Sequence, residues 1–144
     1  MPEPTSPEPS STLAAVLLPI ENVATRLNRP AARLLAVSKT RSAGEIAALA
    51  DAGQQAFGEN YVQEALPKIE ALRGRGLEWH LIGHLQSNKA DLAARHFDWV
   101  QSLDRAKLVT ALARHRPAGA PPLNVLVQVN IDDETSKHGC LPGD

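Results

Sequence analysis

The sequence predicts an α/β fold built on a parallel sheet, and three observations carry that prediction. Short apolar runs alternate with helical patterns five times along the chain. Glycine and proline turns, at Asn28–Pro30, Gly53, Gly74–Gly76 and Pro117–Pro122, close most of the helical patterns. Polar residues gather directly after each predicted strand, where open α/β sheets and α/β barrels both place their chemistry. Such alternation implies right-handed crossovers between parallel strands. Two architectures fit: a doubly wound open sheet, and a (β/α)₈ barrel cut short after its fifth strand. A whole barrel typically needs about 250 residues. The chain has 144, so it is expected to hold an incomplete barrel, as a fragment would.

Residues 1–10 are rich in proline and lack the basic start and apolar core of a signal peptide. They are expected to form a disordered tail, with residues 11–144 as the folded domain. Ser11 or Thr12 can cap a first helix to about Leu27, whose apolar positions Leu13, Val16, Leu17, Ile20 and Val23 recur at helical spacing. Pro19 inside it suggests a kink or split. The run Leu34–Val37 suits a strand covered on both faces. It stops at Ser38-Lys39-Thr40, and Ser42 with Glu45 forms a capping box for a helix from Ala43 to Ala52. A short strand at Gln55–Gly58 precedes a helix over Tyr61–Leu72 that contains Pro67. The next strand is Glu78–Gly83, followed by a helix from Ser87 to His96. Trp99–Leu103 reads as the fourth strand, with Asp104 capping a helix to Arg114. Leu123–Ile131 is the fifth strand, and a polar loop closes the chain.

Composition narrows the function classes. Fifteen basic and sixteen acidic residues give a formal charge of -1 with no basic stripe, which gives no support to a nucleic-acid surface. No apolar run reaches the roughly 18 residues that span a bilayer, so no membrane partner and a cytoplasmic location are expected. One cysteine, Cys140, excludes an intramolecular disulfide framework.

The strand ends lack the signatures of several common chemistries. A Walker A loop, a G-x-G-x-x-G loop after the first strand and a G-x-S-x-G elbow are all absent. His80 and His84 lie four apart, but a strand end and Gly83 fall between them, so no metal site is expected. What remains is Lys39. An amine is a useful nucleophile only when neutral, a state that burial or nearby positive charge favours. A lysine at the end of a buried central strand can form a Schiff base with an aldehyde, and pyridoxal 5′-phosphate (PLP) is the commonest aldehyde cofactor held so. Position alone leaves a solvated strand-end charge as the simpler role.

Four ordered motifs then become specific: Leu35-Ala36-Val37-Ser38-Lys39-Thr40; Phe57-Gly58-Glu59-Asn60-Tyr61-Val62-Gln63-Glu64; Trp79-His80-Leu81-Ile82-Gly83-His84-Leu85-Gln86-Ser87-Asn88-Lys89; and Val127-Gln128-Val129-Asn130-Ile131 with Glu134, Ser136, Lys137 and Gly139. From about residue 13 to the last, the chain resembles the pyridoxal phosphate homeostasis protein family. The resemblance implies a TIM-barrel-like fold of the alanine racemase N-terminal-domain type, present as roughly its first five βα units. It implies PLP held on Lys39 as an internal aldimine without established catalytic turnover, a role in PLP homeostasis, a monomeric full-length form, and apo PLP-dependent enzymes as recipients. A racemase-like enzyme and an inactive fragment are the alternatives. The resemblance also points to Asn60 beside the cofactor ring or its 3′-oxygen, with helix capping as its other role. His80 is a cofactor contact or a structural hydrogen-bonding residue. Lys137 is a possible secondary amine that could accept the cofactor by transimination, or else a plain loop lysine. The family's phosphate-binding segments correspond to no residue here.

Overall fold

The computed structural model describes residue 1 and residues 7–144. Its elements are α1 (Pro9–Arg26), β1 (Ala36–Val37), α2 (Ala43–Asp51), β2 (Ala56–Glu59), α3 (Val62–Ala71), β3 (Glu78–Leu81), α4 (Ala90–His96), β4 (Trp99–Leu103), α5 (Ala106–His115) and β5 (Asn124–Val127). A 3₁₀ turn at Ser87–Lys89 leads into α4. The five strands are parallel and lie in sequence order. A doubly wound sheet reverses its strand order at a switch point near its middle. The observed order is that of a barrel wall, and it decides between the two architectures.

Strand alternation explains the core. Phe57, Trp79, Leu81 and Val100 turn toward the helices and are almost wholly buried. They meet Ile46 of α2, Ala65 of α3, Ala93 of α4 and Leu108 and Leu112 of α5 in one apolar cluster. The rings of Phe57 and Trp79 pack with centroids 5.9 Å apart, a separation typical of favourable aromatic pairs. Helix α4 presents buried Ala90, Ala93 and Ala94, small side chains that let it sit close to its neighbours. Arg116 ties down its carboxyl end by donating from Nη1 to the carbonyls of Ala94 and Phe97, at 2.7 and 2.8 Å.

Several expectations are corrected. Helix α1 starts at Pro9, without a side-chain cap, and runs unbroken through Pro19. The tail expected over residues 1–10 therefore shortens at its inner end, and residues 2–6 lie outside the described residues. The first strand is not covered on both faces. β1 is two residues long, forms one edge of the sheet, and leaves Val37 53% exposed. β5 is exposed at every position and ends at Val127, short of Ile131. Asp104 does not cap α5; the cap position is Arg105, with no side-chain cap bond. The Ser42–Glu45 capping box is present as expected, with Glu45 N donating to Ser42 Oγ at 3.2 Å and Ser42 N to Glu45 Oε2 at 2.8 Å. Its first-turn hydrogen bonds, from the Ser42 backbone above all, hold the exposed Glu45 carboxyl below its ordinary pKa.

Candidate functional site

The register places Val37, Gly58, His80, Trp99 and Asn124 in one row across the five strands. These residues turn away from the helices, onto the face that a closed barrel would enclose. Gly58 leaves room in this row. A Cβ there would press on Ile82 Cδ1 at 3.2 Å and Leu35 Cδ2 at 3.3 Å, so these two side chains meet over the glycine.

A polar relay crosses the same face. Arg33 Nη2 donates to Glu78 Oε1 at 2.9 Å. The same oxygen accepts from His80 Nε2 at 2.7 Å. A carboxylate only accepts, so Nε2 carries the hydrogen, and Gln101 Nε2 then donates to His80 Nδ1 at 2.9 Å. The His80 ring also stacks on Trp99, 5.3 Å between centroids and 3° from parallel. Burial alone would raise the Glu78 carboxyl, but the hydrogen bonds from His80 and Arg33 outweigh it and hold its pKa below the ordinary value. Both ring nitrogens of His80 are thus engaged, one by Glu78 of its own strand and one by Gln101 of β4.

Lys39 follows β1 in an exposed turn. The next residue, Thr40, has φ +65°, a left-handed conformation uncommon for threonine that turns the chain sharply after the lysine. The turn is anchored from behind. Ser38 N donates to the Gly58 carbonyl at 2.9 Å. Lys68 Nζ, from α3, donates to the Ser38 carbonyl at 3.0 Å and lies 2.5 Å from Glu59 Oε1. The Lys68 side chain is 14% exposed and that of Glu59 1%. Among the described residues Glu59 Oε1 makes no hydrogen bond, and its polar neighbour is the Lys68 ammonium. The attraction is therefore mainly Coulombic. The second motif contains Glu59 but stops at Glu64, short of Lys68, and no local spacing links a strand end to the seventh residue of the following helix.

Asn60 stands two residues beyond Gly58, as Lys39 stands two beyond Val37. Its side chain does not cap α3: the cap position is Tyr61, with no side-chain bond. It instead lines a cleft of about 510 Å³ with Tyr61, His84, Gln86, Lys89 and His138. Gly83 makes this wall possible, since a Cβ there would lie 2.1 Å from the Asn60 carbonyl oxygen. Lys39, His80 and Lys137 do not line the cleft. Lys137 sits in an exposed turn whose N–H donates to the Glu134 carbonyl at 3.0 Å. A larger hollow of about 750 Å³ lies at the carboxyl end of α1, away from the strand ends.

Two residues of the cleft, His84 and His138, belong to a grouping that the strand-end reading missed. His84, Asp104 and His138 bring a potential ligand atom each within 4.8 Å of one another. The expectation of no metal site rested on the spacing of His80 and His84 alone. His80 is indeed not part of the grouping, but His84 finds partners after β4 and β5 that sequence spacing does not join. Burial, the charge of His138 and that of Arg105 lower the His84 pKa, against the opposing effect of Asp104.

A five-stranded parallel wall in sequence order, with its polar groups at the strand ends, is the architecture of the first part of an α/β barrel, and the comparisons agree. The family model described as "Alanine racemase, N-terminal domain" matches residues 12–144, and the chain belongs to that family. Within it, the chain is 54% identical over 132 residues to the pyridoxal phosphate homeostasis protein of Escherichia coli K12, covering 88% of this chain and 56% of the relative. It is 55% identical over 117 residues to the protein of that name from Haemophilus influenzae, covering 80% and 49%. The solved structure of PipY from Synechococcus elongatus PCC7942 with PLP bound is similar at a TM-score of 0.70 and 34% identity, covering 94% of this chain and 59% of that one. The chain spans about half the length of the curated relatives it matches.

Proposed function

We propose that this chain handles pyridoxal 5′-phosphate and that Lys39 holds the cofactor through its side-chain amine, for homeostasis and not for turnover. The observation that carries the reading is the exposed lysine after β1 in a chain 54% identical to a pyridoxal phosphate homeostasis protein. The residues present fit one end of the cofactor. An exposed amine at a strand's carboxyl end can meet an aldehyde, and Asn60 occupies the equivalent position on the next strand. They offer less to the phosphate. The α2 amino terminus, which follows Lys39, is filled by its own Ser42–Glu45 capping box and carries a carboxylate where an anion would sit. When bound, PLP would supply its electron-sink chemistry. The chain's own contribution is to fix the lysine's turn through the Ser38–Gly58 and Lys68–Ser38 bonds. Apo PLP-dependent enzymes are the proposed recipients. Lys137 is the proposed second amine.

The test is to incubate the chain with PLP, reduce with borohydride and map the pyridoxyl group by peptide mass spectrometry. Label concentrated on Lys39, and lost in Lys39→Ala, is the expected result. Equal labelling of several surface lysines, unchanged by Lys39→Ala, would refute the assignment. Label that never reaches Lys137 in the Lys39→Ala background removes the second-amine role. Slow racemisation of an amino acid, lost in Lys39→Ala, would replace the carrier by a racemase.

A further inference from the structure

We propose that His84, Asp104 and His138 form a binding site for a divalent transition-metal cation of the Zn²⁺ class, at the mouth formed by the loops after β3, β4 and β5. The donor set is two imidazoles and one carboxylate. That combination suits zinc, cobalt, nickel or copper, and does not suit magnesium or calcium. Three protein ligands with an open fourth position is the pattern of zinc sites that also accept water or a small ligand.

The geometry is close to what a cation needs. All three potential ligand atoms lie within 4.8 Å of one another, and His84 Nδ1 is 3.8 Å from Asp104 Oδ2. Ligands on a tetrahedral zinc stand about 3.3 Å apart, given metal–ligand distances of about 2.0–2.1 Å. Closing the set takes about 1.5 Å of movement at most. The side chains can supply it, because His84 and His138 are exposed and only Asp104 is fixed.

The donors are also available. Among the described residues neither the His84 nor the His138 ring makes a hydrogen bond. The two rings stack face to face, 3.7 Å between centroids and 15° from parallel. Asp104 spends only Oδ1, which accepts from Arg105 Nη1 at 2.6 Å, and Oδ2 stays open toward His84. The Arg105 charge opposes a cation, but its Nη2 is held on the Leu85 carbonyl at 2.6 Å, away from Oδ2.

His138 is placed by a built loop. Val129 and Cys140 form a parallel bridge. Cys140 N donates to the Gln128 carbonyl at 3.0 Å, Asn130 N to the Cys140 carbonyl at 2.8 Å, and Gln128 Nε2 to the His138 carbonyl at 3.1 Å. Gly139, at φ +123°, has no room for a Cβ, which would fall 2.6 Å from Asn130 N. These bonds fold the segment after β5 back over the cleft and set its imidazole on that of His84.

The experiment is titration of the chain with Co²⁺, read by its visible d–d absorption, followed by displacement with Zn²⁺. One equivalent of bound cobalt is expected, displaced by zinc and not by Mg²⁺. His138→Gln, a change in an exposed loop, should weaken binding at least tenfold, while His115→Gln at the end of α5 should leave it unchanged. His138→Cys should keep binding and add a thiolate-to-cobalt charge-transfer band. No cobalt band, or a band that His138→Gln weakens less than tenfold, overturns the site. These readouts use no PLP, so they stand or fall apart from the cofactor assignment.

Discussion

Replacing Lys68 by methionine tests the contact that anchors the Lys39 turn. The substitution keeps the length and most of the apolar stem, and removes the ammonium. It leaves Glu59 with a side chain only 1% exposed and no other partner for Oε1. Removing one member of a buried ion pair typically costs about 3–5 kcal/mol. The lower end applies here, because Lys68 keeps 14% side-chain exposure and some solvation. With a urea slope of about 2 kcal/mol per M, a loss of about 3 kcal/mol lowers the unfolding midpoint by about 1.5 M. The Glu59→Met, Lys68→Met double variant should recover most of this, since an apolar pair of similar volume carries no stranded charge. Equilibrium urea unfolding followed by circular dichroism reads both. A fall of less than about 0.5 M for Lys68→Met, equivalent to about 1 kcal/mol, would show that water or backbone motion already solvates Glu59. The pair would then not hold the turn.

Two further perturbations probe the sheet's inner face. The Glu78 pKa is lower folded than unfolded, so its contribution is fully present above the unfolded carboxylate pKa of about 4.3 and is lost as pH falls through the folded value. Urea midpoints measured downward from about pH 5 should therefore fall more steeply in the parent than in Glu78→Gln; parallel curves would show that the Arg33–Glu78–His80 relay contributes nothing on acidification. Gly83→Ala places a Cβ 2.1 Å from the Asn60 carbonyl oxygen. Backbone cannot yield there as a flexible side chain would, so the substitution should cost about 2 kcal/mol or more, and wild-type thermal melting would mean that the two loops are not held in contact.

Local chemistry was legible in the sequence, and long-range closure was not. The Ser42–Glu45 capping box depends on residues three apart, and it forms as read. Trp99–Leu103 was bounded correctly because β-branched and aromatic residues there sit between two clear turns. The error at β1 has a different origin. An apolar run such as Leu34–Val37 records the environment its strand is suited to, and the covering elements must come from elsewhere in space. In this chain β1 is a sheet edge, so the run is only half covered. Asp104 misled for a related reason. An aspartate before a helix satisfies the cap pattern, but Arg105 claims one carboxylate oxygen and His84 faces the other. The His84–Asp104–His138 grouping draws one residue from each of three loops, and no spacing rule joins positions 84, 104 and 138.

The two ends of the mouth are joined through one backbone contact. Lys39 and Asn60 belong to the β1–β2 side, and the imidazole pair belongs to the β3–β5 side. Asn60 lines the cleft that also contains His84 and His138. Its carbonyl sits against Gly83, the residue before His84, so closely that only glycine fits. Ser102 Oγ in turn donates to the Gly83 carbonyl at 2.6 Å, two residues before Asp104. The lysine turn is tied to the same β2 end through Ser38, Gly58 and the Lys68–Glu59 pair. The Asn60 loop and the start of the β3–β5 grouping are therefore in direct backbone contact at Gly83, whereas Lys39 itself lies on the exposed edge.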